Sequence, residues 1–156
     1  MRAVDIYVDT SIRGPRRGDG SGMYILSFTD GGGRTADAGG RIRRGDTTEN
    51  QLALLALEAA LGRLREPCAL ELPLECAYLA AALENRWYDR WRRDGWMNAK
   101  NAPVRDAETW RSIRCLLNAH EFRVLLGQPH PYREWMGREL RGRTRYGPRG
   151  RGREGG

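Results

Sequence analysis

The sequence predicts an α/β domain built on a mixed five-stranded sheet flanked by helices, in the element order βββ-α-β-α-α-β-α. Three observations predict it. Three strand-like stretches separated by turn signals open the chain, a Leu- and Ala-rich helix follows them, and short apolar runs then alternate with segments of helical spacing. At 156 residues the chain suits one core with appendages.

Residues 3 to 8 place Val4, Ile6 and Val8 on one face and Asp5 and Tyr7 on the other, a strand running into Asp9. A Gly/Pro/Arg loop is expected from Ser11 to Gly22. Met23 to Thr29 reads as a second strand, Asp30-Gly31-Gly32-Gly33 as a turn, and Arg34 to Ile42 as the return strand of a meander. Asp46, Thr47 or Thr48 is positioned to cap a helix over Asn50 to Arg65, with Pro67 marking its end. Leu70 to Leu74 suits a short buried strand ending at Glu75, with Pro73 the one residue against it. From Cys76 to Trp91, residues Tyr78, Leu79, Leu83, Trp87 and Trp91 recur at helical spacing. A break at Asp94-Gly95 and a loop through Pro103 precede a helix over about residues 106 to 119, then a strand over Phe122 to Leu126 and a short helix after Pro131. Residues 141 to 156, almost all Arg and Gly, carry no apolar periodicity and are expected to form a disordered tail behind a domain of residues 1 to 140.

The formal charge of +7 favours polyanionic partners, because arginine neutralises phosphates and releases their counterions. Residues 141 to 154 carry six arginines against one glutamate, +5 of that total. Lys100 is the one lysine among 27 basic residues, a bias that nucleotide composition explains better than phosphate chemistry does. Cys68, Cys76 and Cys115 form no C-x-x-C pair, which argues against a disulfide framework or zinc site and makes a reducing cytoplasm the default location. No apolar stretch follows Met1-Arg2 and none reaches membrane-spanning length, so a cytoplasmic chain with no membrane partner is expected.

Three blocks resemble the ribonuclease H family over about residues 3 to 140. IYVDTSIRGP is similar to the family's opening strand, first metal-binding Asp and following loop. TTENQLALLALEAAL is similar to its first long helix. WYDRWRRDGWMNAKNAPVRDAETW resembles the basic handle of the bacterial enzymes, with Trp87, Trp91, Arg92-Arg93, Gly95-Trp96, Pro103-Val104 and Trp110 in place. The resemblance implies a hybrid-binding surface that includes Asn50, Trp87, Trp91, Arg92, Arg93, Trp96 and Lys100. Each block also has a plainer reading: Trp87, Trp91 and above all Trp110 fit core positions, and the basic run fits a solvated face. Trp96 in its Gly-containing bend tilts the balance towards nucleic acid, since aromatic and guanidinium groups together pack on sugar and pair with phosphate.

The family cleaves the RNA strand of an RNA/DNA hybrid with two magnesium ions about 4 Å apart, held by clustered carboxylates. Asp9 matches the first carboxylate. Glu75 falls where the family has Asp, and its extra methylene moves the carboxylate by about 1 Å. Ala53 falls where the bridging glutamate belongs, and the last aspartate's position falls around Gly137 or Arg138. His130 aligns with the family's mobile histidine, with Gln128 competing for that position. Glu49, four residues before Ala53 on the same helix face, and Glu139 are the available substitute ligands. Their plainer readings are a first-turn glutamate favoured by the helix dipole and an ordinary surface charge.

Two carboxylates of four therefore point to a ribonuclease H-like protein that binds RNA/DNA hybrid or structured RNA with weak or lost hydrolysis, holding Mg or Mn weakly if at all. The alternative is an active Mg-dependent ribonuclease H using Asp9 and Glu75 with makeshift ligands. A module kept for protein contacts is the third class, and fold alone does not choose among them.

Overall fold

A computed structural model of the chain describes residues 1–142; the rest of the expected tail lies outside the described residues. Its elements are β1 (Arg2–Thr10), β2 (Arg17–Thr29), β3 (Thr35–Thr48), α1 (Glu49–Leu61), β4 (Cys68–Leu74), α2 (Ala77–Glu84), α3 (Trp87–Arg93), α4 (Ala107–Leu117), β5 (Glu121–Leu126) and α5 (Arg133–Arg141). The five strands form one sheet in the order β3-β2-β1-β4-β5. The first three run as an antiparallel meander, and β4 and β5 join parallel to β1.

The alternation read along β1 carries the layering. Val4, Ile6 and Val8 face the main core with Leu54, Leu57 and Leu61 of α1. Tyr7 faces the opposite side with Met23 and Ile25, where Met136 and Leu140 of α5 cover them. These two residues, one turn apart, are what seats α5 on the sheet; each buried apolar side chain contributes about 1.5–3 kcal/mol. Both faces of β1 are thus closed, leaving the strand's end as the exit for functional side chains.

The first half of β2 was expected to be loop, and the return strand was expected to end at Ile42. Residues 17 to 22 instead pair with residues 42 to 48 across a register shift between Gly18 and Gly20. The glycines there serve close packing rather than a loop. A Cβ on Gly22 would lie 2.7 Å from the Leu52 carbonyl oxygen of α1, and one on Gly20 would lie 2.8 Å from Ile12. Helix α1 starts where the cap residues suggest: the Thr48 hydroxyl accepts the Gln51 N–H at 3.2 Å, satisfying one orphan donor of the first turn. It stops at Leu61, short of the expected Arg65.

The segment read as one helix from Cys76 to Trp91 is split into α2 and α3, because Arg86 adopts a left-handed conformation (φ 51°) between them. Pro73 does lie inside β4. It pairs with Leu125 of β5, but the β1–β4 ladder has no pair opposite residues 72 and 73 and resumes only at Val8 and Leu74. A missing N–H interrupts one side of the strand and leaves the other intact. The boundary at residue 140 also moves: Arg141, assigned from composition to the tail, is the last residue of α5. Among the described residues no helix is long and apolar enough to cross a membrane.

Candidate functional site: an acidic crevice walled by arginines

Because β1 and β4 are adjacent and parallel, the residues that follow the Val8–Leu74 pair emerge side by side at one edge of the sheet. Those residues are Asp9 and Glu75. The first turns of α1 approach the same edge, so one crevice is lined by Asp9, Glu49, Ala53, Glu75, Cys76 and Leu79. Asp9, Glu75 and Glu49 thus line one crevice, and Ala53 contributes only a methyl group to the wall. The crevice is too tight to admit a water-sized sphere.

The carboxylates do not stand free. Asp9 is buried, and its Oδ1 accepts the Thr10 N–H at 2.8 Å, Arg13 Nη2 at 2.5 Å and Arg141 Nη1 at 3.2 Å. Arg141 Nη1 also donates to the Thr10 carbonyl at 2.7 Å. Glu75, with a side chain 9% exposed, accepts Arg133 Nη2 at 3.0 Å on Oε1. Glu49 accepts the Gly14 N–H at 2.9 Å, fastening the β1–β2 loop to α1. Asp9 Oδ2 and Glu75 Oε2 are buried without a hydrogen-bond partner.

Helix α5 carries Gly137 and Arg138, the two residues around which the last aspartate was expected. Arg138 turns to solvent and pairs with Glu134 at 3.8 Å. Glu139 does not reach the crevice; its side chain is exposed, and its backbone carbonyl accepts Arg41 at 2.7 Å. The orientation of α5, set by Met136 and Leu140 facing the sheet, puts residue 139 on the outer side. His130 lies near the acidic pair, stacked on Tyr7 with ring centroids 4.4 Å apart and accepting the Tyr132 N–H on Nδ1. Burial holds its pKa below the ordinary value; Arg133 pushes the same way, while Glu75 and Asp9 oppose it.

This donor set does not fit a pair of divalent cations. Asp9 and Glu75 already carry guanidinium partners, Ala53 brings no ligand atom to the crevice, and among the described residues no three His, Cys, Asp or Glu side chains come together as a metal-holding group.

The tryptophans of the handle-like block divide into two roles. Trp110 is fully buried, donating from Nε1 to the Tyr78 hydroxyl at 3.0 Å, and Trp87 and Trp91 pack edge-on in the same aromatic cluster. Trp96 instead lies under the Arg111 guanidinium, 5.1 Å from its ring centroid. Arg92, Arg93 and Lys100 are exposed. Asn50 is exposed at the start of α1, where it lines a cleft of about 440 Å³ with Thr48, Tyr78 and Arg105.

A larger basic feature escaped sequence reasoning. An open groove of about 920 Å³ lies between the β1–β2 loop, the paired ends of β2 and β3, and the end of α5, and is lined by Arg16, Arg17, Arg43, Arg44 and Arg141. Asp19 is the one acidic residue in its wall. Arg17 is engaged by Asp46, whereas Arg16 and Arg43 are exposed and make no ion pair among the described residues. Arg13, Arg133 and Arg141 were likewise missed as partners of the acidic pair. The one usable signal was the four-residue spacing from Gly137 to Arg141, which puts both on one helix face.

A family model of RNase H matches residues 1–129, ending just before α5. The chain is 31% identical to the ribonuclease H of Clostridium botulinum over 140 residues, covering 88% of this chain and 91% of that protein. It is 32% identical to the ribonuclease H of Oleidesulfovibrio alaskensis over 150 residues, covering 94% of each. In fold it is similar to the crystal structure of a type 1 RNase H with the type 2 active-site motif (TM-score 0.73, 19% identity, 89% of this chain and 70% of that one). It is also similar to part of the foamy viral protease-reverse transcriptase solved in complex with RNA/DNA hybrid (TM-score 0.59, 17% identity, 88% of this chain and 18% of that one).

Proposed function

The chain belongs to the ribonuclease H family, and we propose that it is a nucleic-acid-binding member that engages RNA/DNA hybrid or structured RNA with hydrolysis weak or lost. The observation that carries this reading is the state of Asp9: its Oδ1 accepts three donors, two of them guanidinium groups, inside a crevice closed to a water-sized sphere. Hydrolysis in this family uses clustered carboxylates to hold two divalent ions and an attacking water. Here the cluster has two of four members, and both are already neutralised.

The binding half of the proposal rests on two exposed basic surfaces. The groove of Arg16, Arg17, Arg43 and Arg44 opens beside Arg141, and Arg92, Arg93 and Lys100 lie at the end of α3 and in the loop behind it. Arginine presents a planar fork that meets phosphate oxygens two at a time. Neither surface requires a metal.

A second reading, slow metal-dependent cleavage, is favoured by one specific observation: Asp9 Oδ2 and Glu75 Oε2 are buried and unpartnered, with Glu49 in the same crevice. Cleavage of an end-labelled RNA/DNA hybrid with Mg or Mn, beside binding of the same hybrid in chelator, separates the two. Tight binding in chelator with no product from wild type is expected. Metal-dependent product that disappears in Asp9→Asn would overturn the proposal in favour of an enzyme.

A further inference from the structure

In the acidic crevice, we propose, arginine has replaced the divalent cation as the permanent counter-charge, with Arg141 occupying the space left by the missing carboxylate on α5. The resemblance puts that carboxylate around Gly137 or Arg138; Arg138 turns to solvent, and Arg141 follows Gly137 by four residues, one turn along the same helix face. The Arg141 side chain folds back over the bare Gly137: a Cβ built there would lie 2.8 Å from Arg141 Nη2. The same guanidinium donates through Nη1 to Asp9 Oδ1 and the Thr10 carbonyl. The bare position at 137 thus leaves room for the guanidinium that reaches Asp9.

Two further guanidinium groups complete the arrangement, Arg13 on Asp9 and Arg133 on Glu75. Buried carboxylates are tolerated only when paired and hydrogen-bonded, and a metal-dependent site supplies that pairing from solution. This chain supplies it from its own side chains, in the β1–β2 loop and at both ends of α5. Guanidinium does not deprotonate in proteins, so the counter-charge stays in place without metal. The crevice is therefore a salt-bridged joint between β1, β4 and α5.

The inference rests on the reading of Asp9 given above, and its test is made by melting the free protein, so its failure is distinguishable from a failure to bind hybrid. Melting temperature is measured with chelator and with Mn for wild type, Arg141→Gln, and the triple variant Ala53→Glu/Gly137→Asp/Arg141→Ala. Wild type should melt at the same temperature in both. The triple variant, whose carboxylates lack one of their arginines, should melt lower in chelator and gain about 3–6 °C at Mn tenfold above its dissociation constant, as ligand linkage requires for a chain of this size. Arg141→Gln removes the charge and shortens the side chain; it should lower the melting temperature in chelator. A saturable Mn-dependent rise in wild type, or an Arg141→Gln protein that melts unchanged in chelator, would overturn the inference. If the triple variant does not fold in chelator, recovery of folding on Mn addition supports it and no recovery counts against it.

Discussion

Removing Arg16 and Arg43 together probes the groove at little cost to the fold. Arg16 stands on the β1–β2 loop and Arg43 on β3, on opposite walls; both are exposed and neither forms an ion pair among the described residues. Exposed substitutions of this kind shift stability by less than about 0.5 kcal/mol, so a change in binding reports on binding. Each phosphate contact contributes about 0.9 to the slope of log affinity against log salt. The Arg16→Ala/Arg43→Ala variant should therefore lose about 1.8 from that slope. Between about 50 and 200 mM salt, a fourfold change, wild-type affinity should fall roughly twelvefold more than that of the variant. Fluorescence anisotropy of a labelled RNA/DNA hybrid, titrated in chelator at several salt concentrations, measures both slopes. Parallel lines for the two proteins, with the variant merely folded, would refute the assignment of the groove to the nucleic-acid backbone.

Two other outcomes are expected. Trp110→Ala should cost about 3–5 kcal/mol in urea unfolding, because Trp110 is fully buried and the Tyr78 hydroxyl would lose its donor; a loss below about 1 kcal/mol would contradict its place at the centre of the aromatic cluster. The chain's two histidines should make stability fall in mild acid. Burial depresses both pKa values below the ordinary 6.5, and His120 Nδ1 also accepts the Cys68 N–H, which needs an unprotonated ring nitrogen. The unfolded chain takes up protons near that ordinary value while the folded one resists, so stability present above it is lost as pH falls through and below it. Replacing both by Asn should flatten the stability profile between pH 7 and about 5.5; an unchanged profile would mean that other groups carry the dependence.

The sequence made the frame legible where local pattern and tertiary burial agree. Period-2 alternation in β1, the cap at Thr48, and Trp110 as core were all readable, because each follows from one element's own spacing. Gly20 and Gly22 misled, since local chemistry reads them as loop, whereas their role is to let α1 approach β2. The split between α2 and α3 depends on one left-handed residue, Arg86, for which no residue type gave a signal. At the site, Asp9, Glu75 and Glu49 were readable from order along the chain, and the structure puts them in one crevice. The arginines upon them were not. Arg13, Arg133 and Arg141 are three among 27 basic residues, and only folding selects which guanidinium meets which carboxylate. Composition also misassigned Arg141, because an arginine that ends a helix and one that begins a polar tail look alike in a string.

The contact between Gly137 and the Arg141 guanidinium makes the two positions share one cation. An aspartate placed at residue 137 would stand one helical turn from Arg141 and compete with Asp9 for its guanidinium, while loss of Arg141 strips Asp9 of one partner. Substitutions at 137 and 141 are therefore expected to couple rather than add, and the effect of either on the crevice depends on which residue stands at the other.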